Sequence, residues 1–314
     1  MCTAIHLCKE GLFGRTLDYE KSFGEGVVFT PREFMRMGEA RNRYSMLGVG
    51  VVKDTSTLYF DGMNEWGLAG AALNFPEYAR YHGAGDKKAE VPSGLLLSFV
   101  LGFCKSIEEI KGLFHNIGIT GDSVLDMPAS PLHWIFADKT GALTIESTER
   151  GLHITDNPYG VLTNSPELEY QATRLADYMS LGTGYPENRL TRVPLTAYSR
   201  GMGAMGLPGD FSSTSRFVRA FFVKENTLSS DGKGGDIGRM MHILSSVSIP
   251  RGCVRTKEDE PVWTLYKGVM DIENLAYYFC SYGNPNLRAI RLHPESTDMA
   301  VYPLYEKENI DYID

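Results

Sequence analysis

The order of strand-like and helix-like segments predicts an α+β layered fold with largely antiparallel sheets. Three observations carry this. Strand runs and helix runs are segregated rather than alternating, which disfavours a doubly wound parallel sheet. Several strands are apolar nearly throughout, as two sheets packed face to face with helices outside would require. No linker-like stretch and no repeat at a fixed period divides the 314 residues, so one domain spanning 1–314 is expected.

Residues 2–8 and 12–18 read as two strands joined by a tight hairpin at Lys9-Glu10-Gly11. Met46–Val52 and Thr57–Asp61 are further strands, and Gly67–Phe75 is a Gly/Ala-rich one that invites close approach of another backbone or a ligand. Pro92 suits the first turn of a helix through Leu95–Val100. Ser106-Ile107-Glu108-Glu109 is a capping-box pattern opening a second helix that reaches Asn116. Leu132–Asp138 and Ala142–Thr148 flank a hairpin turn at Lys139-Thr140-Gly141, with Leu152–Thr155 as a third strand. Pro166–Ser180 has helical spacing at Leu168, Gln171, Ala172, Leu175, Tyr178 and Met179. Residues 181–213 form a long Gly/Pro-rich connection of the kind that serves function or lies at an oligomer interface. Helices near 214–225 and 236–247 and a strand meander at 262–270, 274–282 and 287–293 complete the pattern.

Thirty-nine acidic residues against 31 basic ones leave a net charge of −8, and no long Lys/Arg cluster is present. That balance disfavours nucleic acid and anionic membrane surfaces as partners. No apolar run approaches the roughly 18–20 residues of a membrane span. The start, Met1-Cys2-Thr3-Ala4-Ile5-His6, lacks the basic and apolar regions of a signal peptide, so a soluble cytoplasmic protein is expected. Five scattered cysteines (Cys2, Cys8, Cys104, Cys253, Cys280) form no C-x-x-C, and no N-x-S/T acceptor occurs, which fits free thiols in a reducing compartment. All but Cys2 read as small core residues.

Gly201-Met202-Gly203-Ala204-Met205-Gly206 matches G-x-G-x-x-G, but Leu207-Pro208-Gly209 blocks the helix a dinucleotide site needs, so the segment reads as a loop. The seven histidines show no metal-ligand spacing, and there is no G-x-S-x-G. A papain-type Cys–His pair stays open on spacing alone, although its local signature is absent. His6 alternates in phase with Cys2 on the first strand; a structural role suits it better than a catalytic one.

Cys2 is the principal candidate. Removal of Met1 would leave a thiol and a free α-amine on one residue, a nucleophile carrying its own base, since that amine's reference pKa is about 7.7–8.0. Arg15 and Asp18 lie on the hairpin partner, where a cation can favour a thiolate and a carboxylate can orient an ammonium. Their odd spacing puts them on opposite faces of a regular strand, so a bulge or strand end near Leu17 is expected.

These residues sit in a recognisable context. Met1-Cys2-Thr3 and Phe13-Gly14-Arg15-Thr16-Leu17-Asp18-Tyr19 resemble the start of the choloylglycine hydrolase family, which includes bile salt hydrolases and penicillin V acylases. Further resemblance runs through Asn64-Glu65-Trp66-Gly67-Leu68, Leu73-Asn74-Phe75-Pro76, Leu132-His133-Trp134, Val161-Leu162-Thr163-Asn164-Ser165-Pro166, Leu207-Pro208-Gly209-Asp210 and Ser215-Arg216-Phe217-Val218-Arg219. The resemblance implies a four-layer αββα sandwich of the N-terminal-nucleophile hydrolase type, commonly a homotetramer, with no metal and no organic cofactor. It implies Cys2 as nucleophile, Arg15, Asp18 and Arg216 beside it, and Asn74 and Asn164 as neutral oxyanion donors.

The expected reaction is hydrolysis of the amide joining a steroid carboxyl to glycine or taurine, with conjugated bile salts as the small-molecule partner. An apolar steroid needs an apolar cleft, for which Leu17, Tyr19, Phe23 and Phe60 are candidates. Arg200, in the long loop, is a candidate for the anionic end, and its Ser-Arg context leans toward glycine conjugates. Penicillin V acylases tend to carry tyrosine where Asn74 stands, which favours the bile salt branch; penicillin V or another N-acyl amide remains the alternative. A non-catalytic steroid binder or thiol sensor is the reading from another class. Glu77 stands where many family members have glycine, a change in the loop beyond the site.

Overall fold

The computed structural model describes residues 1–37, 40–53, 55–83, 85, 89–124 and 127–305. β1 (Cys2–Leu7) and β2 (Leu12–Tyr19) form the expected hairpin, and β3 (Gly26–Thr30) and the ribbon β4 (Arg36–Met37) and β5 (Ala40–Arg41) follow. A meander of β6 (Met46–Lys53), β7 (Ser56–Asn64) and β8 (Ala69–Asn74) comes next. β9 (Ala89–Pro92) passes through one 3-10 turn into α1 (Leu96–Phe103), and α2 (Ile107–Leu113) leads to β10 (Ile117–Thr120). A second meander, β11 (Leu132–Asp138), β12 (Gly141–Thr148) and β13 (Gly151–Asp156), is followed by β14 (Val161–Leu162) and α3 (Leu168–Arg174). Beyond the long connection lie α4 (Ser213–Asn226), α5 (Lys233–Ser245), β15 (Val254–Arg255), β16 (Pro261–Asp271), β17 (Ala276–Ser281), β18 (Arg288–Arg291) and β19 (Ala300–Pro303).

These strands build a seven-stranded sheet, β14-β1-β2-β16-β17-β18 with β15 against β16, and an eight-stranded sheet, β13-β12-β11-β8-β7-β6-β3-β19. The burial pattern explains the near-continuous apolar strands. Inward-facing Cys2, Ala4, Phe13 and Leu17 of the first sheet pack against Leu47, Val49, Met63, Leu73 and Ile135 of the second. Ile5, Leu7 and Leu12, from the alternate phase of the same hairpin, pack against Phe217, Met240 and Leu244 of α4 and α5. On the far side, Leu97, Val100 and Ile110 of α1 and α2 cover Tyr59, Trp134 and Phe136. The four layers therefore run helices, sheet, sheet, helices, and the expected αββα sandwich is the observed one.

The capping serine is in place: Ser106 Oγ accepts from the Glu109 N–H at 3.3 Å, which satisfies an otherwise orphaned donor of α2. Pro92 differs from the sequence expectation. It ends β9, paired in parallel with β10, instead of opening a helix. β3, β9, β10 and β19 were not anticipated; each is only four or five residues long and is defined by partners distant in sequence. The helix expected over 166–180 is shorter, with its last part a 3-10 turn at Leu175–Tyr178. Cys8 and Cys253 are exposed, correcting the expectation of core thiols, whereas Cys104 and Cys280 are buried.

Gly201 has φ +81° and opens a 3-10 turn at Met202–Ala204, so the G-x-G-x-x-G segment is the loop expected. Glu77 has φ +69°, a left-handed backbone that glycine adopts without strain. Among the described residues no helix is long and apolar enough to cross a membrane.

Candidate active site

The site gathers at the start of β1, where the two sheets and α4 meet. β2 stays in register with β1 from Leu12 to Leu17, with Cys2 opposite Leu17 and Ala4 opposite Arg15. It neither bulges nor ends at Leu17, contrary to expectation; the irregularity lies across from it in β16, between Thr264 and Tyr266. The odd spacing of Arg15 and Asp18 is satisfied in another way. Arg15 enters the space between the sheets and Asp18 faces the helices, so Cys2 is served from both sides of the hairpin.

On the inter-sheet side, Arg15 Nη2 donates to the Cys2 sulfur at 2.9 Å. Its remaining nitrogens are engaged by the Phe60 carbonyl (2.7 Å), the Thr16 carbonyl (3.3 Å) and the Asp61 carboxylate (3.5 Å). Burial pulls this guanidinium down, but Tyr266, Cys2, Asp61 and Tyr277 around it carry it above its ordinary value.

On the helical side, Asp18 Oδ1 accepts from Thr264 Oγ1 at 2.6 Å and Oδ2 from Thr16 Oγ1 at 3.1 Å, with Arg216 Nη1 4.0 Å away. The backbone of Asp18 holds the N-terminus: its carbonyl accepts from the Met1 amino group, and its N–H donates to the Met1 carbonyl at 2.8 Å.

Arg216 arrives on the first turn of α4, a position set by the loop before it. Asp210 Oδ1 accepts from the Ser212 N–H (2.9 Å) and Oδ2 from Ser215 Oγ (2.6 Å), bonds that pull Asp210 down to about 2. Ser213, the first residue of α4, accepts from the Asn164 N–H through its Oγ at 2.9 Å. One helix start thus places both Arg216 and Asn164. Arg216 Nη2 donates to Asn164 Oδ1 at 2.6 Å and Nη1 to Thr3 Oγ1 at 2.7 Å, and the Cys2 carbonyl also accepts from Nη1. Burial lowers Arg216, with Asp18 and Cys2 offsetting part of the effect.

The Asn164 amide is therefore oriented. Its oxygen also accepts from the Cys2 N–H at 2.9 Å, and its Nδ2 donates to the Asn74 carbonyl at 2.7 Å, leaving one Nδ2 hydrogen for another acceptor. Asn74 ends β8, and its half-buried side chain makes no hydrogen bond among the described residues. Phe75, next in the chain, stacks on His133 with centroids 4.2 Å apart, and His133 Nε2 reaches the Thr163 carbonyl at 3.1 Å. His133 thereby joins the segments that carry Asn74 and Asn164.

All six expected catalytic residues lie in this network. Of the expected pocket residues, Tyr19, Phe23 and Phe60 form an aromatic chain with centroid distances of 4.7 and 5.5 Å, and Leu17 sits opposite Cys2. Arg200 is exposed, and among the described residues no hydrogen bond or ion pair joins its side chain to the site. His6 lies four residues along β1, about 13 Å from Cys2 at the usual strand rise. Burial pulls His6 down to about 4, so it is a neutral structural residue, not a base for Cys2.

Sequence reasoning missed Asp61, Tyr266 and Tyr277. The one available signal was an aspartate inside the otherwise apolar run of β7. Charged groups on fully covered strands require partners.

Comparison with known proteins identifies the family. The family model described as linear amide C–N hydrolases, choloylglycine hydrolase family, matches residues 2–302. The chain is 38% identical to a bile salt hydrolase/transferase of Lactiplantibacillus plantarum, covering 97% of each chain. It is 36% identical to one of Clostridium perfringens, covering 95% of this chain and 94% of the relative. The crystal structure of the mutant C2A conjugated bile acid hydrolase from Clostridium perfringens superposes with a TM-score of 0.92 at 34% identity, each chain covered completely. A buried cysteine, paired arginines and an oriented amide at the start of the first strand are thus found in a chain that belongs to the choloylglycine hydrolase family and hydrolyses linear amide C–N bonds.

Proposed function

We propose that this chain hydrolyses the amide between a steroid carboxyl and glycine or taurine, through a thioester on Cys2. The observation that carries the reading is the double approach to Cys2: Arg15 on its sulfur and Asn164 on its nitrogen. Loss of Met1 converts that nitrogen from an amide to an amine, which takes the thiol proton. The sulfur attacks the amide carbon, and negative charge develops on the carbonyl oxygen. Asn74 and the uncommitted Nδ2 hydrogen of Asn164 are the donors proposed for that oxygen. The C–N bond then breaks, and the ammonium of Cys2 returns the proton to the departing glycine or taurine nitrogen. Water, deprotonated by the same amine, attacks the thioester and releases the steroid carboxylate. Asp18 and Arg216 hold the N-terminus and Asn164 in place. Tyr19, Phe23 and Phe60, with Leu17, supply the apolar wall for a steroid.

Both relatives described above are named hydrolase/transferase, and the thioester explains how one site could do both: a free amino acid amine can replace water in the second step. We read the chain as one catalytic domain that works as a cytoplasmic homotetramer. Its five free thiols suit a reducing compartment, and Tyr185, Leu190, Val193, Tyr198 and Met205 of the long loop present apolar surface to a second copy.

Mass spectrometry of the protein after incubation with glycocholate tests the core of this reading. A chain lacking Met1, carrying a steroid acyl mass on the Cys2 peptide and releasing glycine, is expected. Faster turnover of penicillin V than of glycocholate and taurocholate would move the chain to the alternative branch. Occupancy without glycine release would make it a binder.

A further inference from the structure

Asp61 is fully buried between the sheets, yet the chemistry outlined above does not use it. Tyr277 Oη donates to Asp61 Oδ1 at 2.6 Å, and Tyr266 Oη donates to Oδ2. The same carboxylate lies 3.5 Å from Arg15 Nη1. Four side chains from four strands, drawn from both sheets, thus make one polar cluster inside an apolar core.

The surrounding backbone is shaped for it. Val49 pairs with Asp61 and Gly50 with Tyr59, so Phe60 is the extra residue of a bulge, and its carbonyl accepts from Arg15 Nη1 at 2.7 Å. Gly268 stands opposite Arg15, and a Cβ there would lie 2.2 Å from the Tyr277 hydroxyl, so the glycine makes room for that hydroxyl. Burial pushes both phenols well above their ordinary values, which keeps them as donors to the carboxylate.

A buried ionic cluster is not by itself stabilising, and apolar side chains of the same volume often do as well. Geometry suggests what the cluster achieves. A guanidinium is a rigid planar fork, and fixing its Nε and Nη1 fixes the direction of Nη2. Nε is held by the Thr16 carbonyl and Nη1 by Phe60 and Asp61, and Nη2 meets the Cys2 sulfur at 2.9 Å. We propose that Asp61, gripped by the hydroxyls of Tyr266 and Tyr277, is the positioning residue that holds the Arg15 guanidinium against the Cys2 sulfur. This rests on the reading of Cys2 as the nucleophile.

The competing role, a passive counter-ion for Arg15, makes the opposite prediction. If Asp61 only balances charge, Asp61→Asn leaves Arg15 in place and removes a nearby negative charge. A sulfur anion then forms more easily, and the pH midpoint for alkylation of Cys2 by iodoacetamide falls. If Asp61 positions Arg15, the guanidinium leaves the sulfur and the midpoint rises. The other charged or titratable groups around Cys2 are its own α-amine once Met1 is lost, Arg216 from α4, Asp18 beside it and Tyr19 at the end of β2, and none of them is altered.

The experiment follows Cys2 alkylation against pH by mass spectrometry, in protein with Met1 confirmed absent, for Asp61→Asn, Tyr266→Phe and Tyr277→Phe. A rise of about half a unit or more is expected in Asp61→Asn, with smaller rises in the tyrosine variants. kcat/KM on glycocholate should fall about 10- to 100-fold in Asp61→Asn, as a displaced catalytic contact does. If Asp61→Asn does not fold, the two tyrosine variants, which keep the carboxylate and nearly all the volume, decide the matter. An unchanged or lowered midpoint in every folded variant overturns the proposal. Alkylation does not require turnover, so that failure is distinct from failure of the amidase reading, which Cys2→Ser tests by retaining activity.

Discussion

The two fully buried arginines at this site sit on opposite faces of one sheet and are held in contrasting ways. Arg15 lies between the sheets with Asp61 as an ionic partner and two tyrosines behind it, and its charge is favoured. Arg216 lies under the helices with neutral oxygens of Cys2, Thr3, Asn164 and Phe211 around it and its nearest carboxylate oxygen, on Asp18, at 4.0 Å, and burial lowers it. The difference teaches that the two cations do separate jobs. Arg15 is a balanced charge aimed at the sulfur. Arg216 is a bracket that orients backbone and amide groups near the nitrogen.

The strongest way to separate the two sides is to leave Met1, or a tag, on the chain. The nitrogen of Cys2 then remains an amide without a basic lone pair, while the Arg15 side is untouched. Glycine release should be abolished, yet Cys2 should still be alkylated by iodoacetamide. Full turnover in protein shown by mass spectrometry to be wholly Met1-retaining would return Cys2 to an ordinary thiol in need of a separate base.

Stability should separate the arginines next. Arg15→Met strands the Asp61 carboxylate in the core and should cost about 3–5 kcal/mol in urea unfolding, as breaking a buried pair does. Arg216→Met leaves neutral acceptors unpaired, and Asp18 keeps its bonds from Thr16 and Thr264; a loss of about 1–3 kcal/mol is expected. The pH dependence sharpens the contrast. Burial raises Asp61, and a group raised in the folded state contributes stability that is present at low pH and lost as pH rises through its folded value. Arg15 holds Asp61 down and its loss raises it further, so the Arg15→Met penalty should be smaller at acid pH than at alkaline pH, with little such change in Arg216→Met. Equal penalties with equal pH dependence would erase the distinction between the two sites.

Asn164→Ala removes the amide that Arg216 orients, and kcat should fall about 10²- to 10³-fold, the usual loss for one oxyanion donor. A fall in affinity alone, with kcat intact, would place Asn164 in binding instead. The smallest effect concerns the exposed loop. Glycocholate is expected to be preferred over taurocholate, and Arg200→Ala should narrow that preference a few-fold by removing one solvent-exposed charge contact. Equal specificity constants for both conjugates, unchanged by the substitution, would remove Arg200 from selectivity.

Much of the site was legible before the fold. Cys2, Arg15, Asp18, Asn74, Asn164 and Arg216 stand in short motifs whose residue types match the chemistry, and the hairpin that brings Arg15 across from Ala4 is local in sequence. The expected break in β2 was wrong because strand parity was applied as though both partners had to reach Cys2 from one face. Asp61 was passed over as the end of a strand because its tyrosine partners lie more than 200 residues away.

What the sequence by itself determined was the segregated runs of apolar strands and helices, the family motifs and the candidate cysteine at the second position. These depend on local periodicity and residue chemistry, which are written along the chain. The tertiary structure decided which face of each strand met which layer, where a bulge released the Phe60 carbonyl, and that Arg15 should be gripped by Asp61 from the opposite sheet. The cost of burying a charge depends on what surrounds it in space, and that environment comes into being only when distant strands pack.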